Sequence, residues 1–181
     1  MPRLPVGRIA RERMRILQSI LSTRAPASAV LVRLLVGGVF LSEGIQKFLF
    51  PNELGVGRFA RIGIPMPEVT GPLVGGVEVV AGALLVIGLL TRPSAWALWF
   101  DISVALVSTK LPILLGHGFW LFALPKLPNY GFWSMAHEAR TDFCMWLGCV
   151  FLMIVGAGGF SADALIVRRG KAAGVSTPPK A

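Results

Sequence analysis

The stretch 33–48, RLLVGGVFLSEGIQKF, is apolar enough to enter a bilayer, yet it carries Arg33, Glu43, Gln46 and Lys47. A helix advances about 100° per residue, so Arg33, Gly37, Phe40, Gly44 and Lys47 fall along one stripe. Glu43 lies one turn before Lys47, a spacing at which the two can pair. Ionisable groups in hydrocarbon cost about 2.5–3.5 kcal/mol each and are tolerated where they face partners. Glycines on the same face let partner helices come close. The stretch is therefore read as the inner wall of a bundle whose other helices supply countercharges.

Composition supports a membrane setting. Of 181 residues, 54% are hydrophobic and only 15% are charged, against about 25% charged in soluble domains. The net charge of +9 does not point to nucleic acid, because the arginines cluster at the chain ends rather than along one basic face. It fits the excess of basic residues that keeps loops cytoplasmic. The two cysteines, Cys144 and Cys149, sit about 140° apart around a helix. They form no CxxC pair and read as buried structural thiols.

Residues 1–28 form a basic segment, a cytoplasmic tail or a short interfacial helix, not a cleavable signal peptide. Apolar spans are expected at 28–50, 69–90, 95–115 and 139–160, each long enough for a hydrocarbon core of about 30 Å. The second span places Gly71, Gly75, Glu78 and Gly82 on one small-residue face, and Ser94 reads as the cap of the third helix. Residues 116–138 read as an interfacial aromatic loop with Trp120 and Trp133. Residues 168–181 read as a disordered basic tail. The fold class that follows is all-α: a polytopic membrane protein, a four-helix transmembrane bundle with both termini cytoplasmic and one membrane domain over 29–167.

With that topology the charges fall into two layers. The outer layer joins Glu43, Gln46, Lys47, Glu78, Asp142 and Lys110. The inner layer pairs Arg33 with Asp101 as a structural ion pair that sets helix register. Lys110, near a helix end, can also be explained by snorkelling. Intramembrane carboxylates are functional candidates by default, so Glu78, Asp142 and Lys47 are the candidate catalytic residues. His117 and His137 are the only histidines. They lack a helical ligand spacing and are weak candidates for a metal or haem, so no metal is assigned. No Walker loop, dinucleotide fingerprint, zinc motif or serine elbow is present, and no cofactor is evident from the residues.

The string RLLVGGVFLSEGIQKFLFP, then IGIPMPEVTGPLVGGVEVVAGALLVIGLLTRPSA, then a last helix with Glu138 and Asp142, then GAGGFSADALI, resembles the DoxX family of small membrane proteins over about residues 29–167. The positions that match the family's motifs are Arg33, Gly44, Lys47, Gly63, Pro65, Glu78, Gly82, Gly88, Thr91, Arg92, Asp142, Gly156 and Asp163. The resemblance implies a four-helix membrane fold and an association with redox systems, quinone- or sulfur/thiol-linked. The chain departs from the family in its arginine-rich N-terminal extension and its aromatic loop.

Three readings follow. The chain is an accessory membrane subunit of a redox system, more an accessory than a self-contained enzyme. Its polar layer then edges a pocket for a quinone or a small sulfur compound, flanked by Trp120 and Trp133, and an oxidoreductase is its partner. Alternatively it is a small-solute transporter subunit, with a homo-oligomer supplying the missing wall. The third reading is a non-catalytic anchor or assembly factor. All three place it in contact with the lipid bilayer, in a bacterial inner (plasma) membrane, and without nucleic acid.

Overall fold

The computed structural model describes Leu21, Thr23 and residues 25–175, with side chains through Arg169. Most of the N-terminal segment 1–28 and the last residues, 176–181, lie outside the described part. Within it the order is α1 (Ala29–Leu49), α2 (Val56–Ile62), α3 (Pro67–Ile87), α4 (Thr91–Leu115), α5 (Phe132–Val155) and α6 (Ala162–Val175). One isolated bridge, Phe119 to Phe122, lies in the loop between α4 and α5.

Three helices, α1, α3 and α4, are long and apolar enough to cross a membrane. The fourth long helix, α5, has 24 residues, about 36 Å of rise, but its first half carries Glu138, Arg140 and Asp142. The four pack in a ring, α1 on α3, α3 on α4, α4 on α5 and α5 back on α1. The outside of the ring is apolar: Leu31, Leu35, Val80, Trp96 and Ile154 are all exposed. A surface of that kind suits lipid, and helices satisfy their own backbone there.

Helices α1 and α3 meet backbone to backbone. A β-carbon on Gly37 would stand 2.8 Å from the Gly82 carbonyl oxygen, and one on Gly44 would stand 2.8 Å from that of Gly75. Lipid tails are as apolar as leucine, so close packing of this kind, rather than escape from water, holds such helices together. The shared core joins Val36, Phe40, Leu85, Leu98, Met145 and Leu152. It fills the half of the bundle nearer the short α3–α4 turn, here the turn end. The opposite, loop end carries α2 and the segment 116–131.

Helix α4 starts at Thr91, not at 95, and Ser94 does not cap it. Leu90 stands at the cap position and offers no side-chain bond. The cap comes from α6: the Asp163 carboxylate accepts the N–H groups of Leu90 at 2.8 Å and Thr91 at 3.1 Å. In return the Asp163 N–H donates to the Gly88 carbonyl at 2.9 Å. An anion on a helix N-terminus satisfies orphan donors and complements the dipole. Helix α6 runs through Val175, so residues 168–175, expected as part of a disordered tail, are helical. One wide π-helical turn, Leu106–Lys110, interrupts α4, and Pro112 follows it.

Candidate functional site

The expected inner pair does not form. Arg33 is 1% exposed, and its guanidinium donates to the Phe160 carbonyl oxygen at 2.5 Å, with Asp163 as the neighbouring anion. It lies against Gly88, whose φ of +74° and lack of a β-carbon leave the room it occupies. Asp101 is elsewhere. With α4 beginning at Thr91, Asp101 stands ten residues in, about 15 Å along the axis. The misplacement follows from the helix start: beginning the span at 95 brings Asp101 one turn too near the end. Arg33, Gly88, Thr91, Ser161 and Asp163 instead make a buried knot that ties α6 and the loop before it to the turn end.

The residues expected in one outer layer form two separate ion pairs, with Gln46 outside both. Lys47 Nζ is 2.6 Å from Glu78 Oε2, so it bridges α1 to α3 rather than pairing with Glu43 on its own helix. Both side chains are nearly buried, 10% and 6% exposed. Asp101 from α4 faces Glu78 and the same lysine. Two carboxylates and one ammonium from three helices thus meet near mid-bundle. Lys110 Nζ is 3.1 Å from Asp142 Oδ2, so it is tied to α5 rather than snorkelling free. The π turn brings this about, because an extra residue per turn rotates Lys110 toward α5 and turns Ser108 and Thr109 inward.

All of these groups except Lys110 and Gln46 line one cavity of about 560 Å³ bounded by α1 to α5. Glu43, Lys47, Glu78, Asp101 and Asp142 all reach it. Arg58 of α2 and Glu138 of α5 reach it as well, and neither was singled out from the sequence. The remaining lining is mostly apolar. Toward the turn end the cavity stops against the core residues Phe40, Ile102 and Met145. A volume in the 300–1,000 Å³ range, apolar walls and a few convergent polar groups are what small-molecule sites have in common.

Other candidates lie apart from the cavity. Gln46 donates back to Ser42, 3.3 Å to its carbonyl and 3.0 Å to its hydroxyl. His117 is exposed, with Nδ1 2.8 Å from the Gly118 carbonyl oxygen, and His137 is exposed on α5. Among the described residues no three His, Cys, Asp or Glu side chains are grouped to hold a metal. Trp120 and Trp133, expected to flank a ring, are each 83% exposed and do not line the cavity. Cys149 is buried as expected, but Cys144 is exposed.

The DoxX family model matches residues 28–111, the span that contributes Arg33, Lys47, Glu78 and Asp101. The chain also aligns with an uncharacterized membrane protein of Mycobacterium tuberculosis, Rv3486, at 48% identity over 155 residues, 86% of this chain and 91% of that protein. The chain belongs to the DoxX family. It is an integral membrane protein in contact with the lipid bilayer, built from apolar helices. No solved structure matches it.

Proposed function

We propose that this DoxX-family protein is an accessory membrane subunit of a quinone- or sulfur/thiol-linked redox system, and that the cavity between its helices is the ligand site. The observation that carries the reading is the Lys47–Glu78–Asp101 group set at the floor of a mostly apolar cavity. Charged groups within a membrane bundle are costly unless function or packing retains them. Here they are turned toward an open volume, with Asp142 and Glu43 above them.

A quinone bound there would supply reversible electron uptake. The residues fit its needs: apolar walls for a ring, an ammonium for a carbonyl oxygen, and carboxylates at hand for a proton. Lys47 is the group that steadies developing negative charge, and Glu78 or Asp142 the group that takes up or yields a proton. In this reading electrons come from a partner oxidoreductase.

A solute path through a single copy is less well supported, because the core from Phe40 to Leu152 fills the bundle between the cavity and the turn end. We take α5 as a fourth span, its charges held near one end by the Lys110 pair, with both termini cytoplasmic and the whole in a bacterial inner membrane. The test is purification from native membranes in mild detergent, with an absorbance spectrum and mass spectrometry of bound small molecules and co-purifying proteins. A bound quinone or an oxidoreductase partner is expected. A ligand-free protein with no partner would overturn the reading.

A further inference from the structure

A residue that both lines a cavity and is exposed marks its mouth. Four apolar side chains do both: Leu73 and Val77 of α3, 62% and 38% exposed, and Phe100 and Val104 of α4, 57% and 41% exposed; the exposed Glu138 and Thr141 of α5 mark a second, polar edge. The four apolar residues are spaced by one helical turn on each helix, so they form two facing rows along the α3–α4 seam. The two helices are joined by the tight turn at Gly88–Leu90, which fixes a common starting level. Counted from that turn, the four residues stand about 13–21 Å along the helices at 1.5 Å per residue. In a hydrocarbon layer of about 30 Å that is the interior of the bilayer, not its surface. Asp101 and Glu78 lie at the same depth on the same two helices, directly behind this opening.

We infer that the cavity opens sideways into the lipid between α3 and α4, and that its occupant is a lipid-soluble amphiphile. Its polar head sits on Lys47, Glu78 and Asp101, and its hydrocarbon tail leaves through the seam between Val77 and Val104. This rests on the reading of the cavity as a ligand site and narrows it: a tailed molecule fits, and a small water-soluble sulfur anion does not. The charge pattern agrees with a neutral or cationic head more than an anionic one. Lys47 is already engaged at 2.6 Å by Glu78, and Glu43, Asp101 and Asp142 also face the cavity, with Arg58 the further cation.

The test uses the full chain in phosphatidylcholine nanodiscs, with decylubiquinone as the tailed probe and thiosulfate as the water-soluble one. Binding is read by thermal shift and by mass spectrometry of retained probe. Val77→Trp and Val104→Trp fill the mouth; Leu31→Trp, on a lipid-facing position of α1 that is 67% exposed, controls for an added tryptophan in the membrane. The tailed probe should bind the wild type and the control and bind each seam variant about tenfold more weakly, a loss of about 1.4 kcal/mol. Seam variants that keep the monodisperse profile and melting temperature of the wild type are the ones scored. Equal binding by both seam variants and the wild type overturns the lateral opening. Binding of thiosulfate without binding of decylubiquinone overturns it too, while leaving a ligand site in place. Binding of neither probe overturns both this inference and the ligand site itself.

Discussion

Replacing Asp163 by alanine removes the pin of the turn end. Its carboxylate accepts two backbone N–H groups, from Leu90 and Thr91, at 2.8 and 3.1 Å. Hydrogen bonds to a charged group contribute about 1.5–3 kcal/mol each, so the two together are worth about 3–6 kcal/mol. Arg33, 1% exposed, also loses its neighbouring anion, which adds to the loss rather than offsetting it. In a domain of this size 1 kcal/mol moves the melting temperature by about 2–4 °C, so the fall should be about 6–24 °C. The assay is thermal unfolding of the purified chain in detergent, followed by light scattering and tryptophan fluorescence. Asp163→Asn should be milder, because the amide oxygen can still accept one of the two N–H groups. A second comparison tests the pairing itself. Arg33→Met and Asp163→Ala should be non-additive, whereas Arg33→Met and Asp101→Ala should add within about 0.5 kcal/mol. An Asp163→Ala protein that melts within about 2 °C of the wild type would refute the capping argument. Coupling of Arg33 to Asp101 instead of Asp163 would refute the assignment of partners.

Glu78→Ala should destabilise more than Glu43→Ala, because it removes the 2.6 Å partner of Lys47 and leaves that lysine with Asp101 alone, a loss below the figure of about 3–5 kcal/mol for a fully stranded buried charge; equal recovery of monodisperse protein from both variants would contradict this. The triple replacement Lys47→Met, Glu78→Leu and Asp101→Leu should recover most of the stability that Lys47→Met alone loses, and a triple mutant as unstable as the sum of the single changes would argue against the buried cluster. Gly82→Leu should abolish assembly of α1 on α3, since even a β-carbon there meets the Leu41 amide nitrogen at 2.8 Å; a normal melting profile would remove the close approach.

Much of the site was legible from residue type and spacing. Lys47, Glu78 and Asp142 are ionisable groups within apolar runs, and the cost of leaving them in lipid forces them toward one another, so their convergence follows from chemistry. The glycine faces of α1 and α3 were legible for a similar reason: small residues at helical spacing announce a close approach. Partner choice was not legible. Lys47 had Glu43 within reach on its own helix, and only the α1–α3 packing shows that Glu78 wins. The level of Asp101 turned on four residues at the start of α4, and that start is set by Asp163, seventy-two residues away from Thr91. No local pattern in TRPSA reveals a cap delivered from α6. Nor does any local pattern announce the π turn at Leu106–Lys110, which redirects Lys110 to Asp142. The aromatic loop shows the opposite failure. Its tryptophans looked like ring contacts from composition, but they sit at the loop end with most of their surface free, as interfacial aromatics do.

The central claim is that the cavity above Lys47, Glu78 and Asp101 holds a small redox-active amphiphile. The most direct measurement is mass spectrometry of molecules retained by the wild type and by Ala105→Phe, purified side by side from native membranes. Ala105 lines the cavity, and the added ring would fill part of it while leaving the charged floor intact. The account predicts a retained quinone-like molecule in the wild type and its loss in the variant, at an unchanged melting temperature. The same complement of bound molecules in both proteins, or none in either, would contradict it.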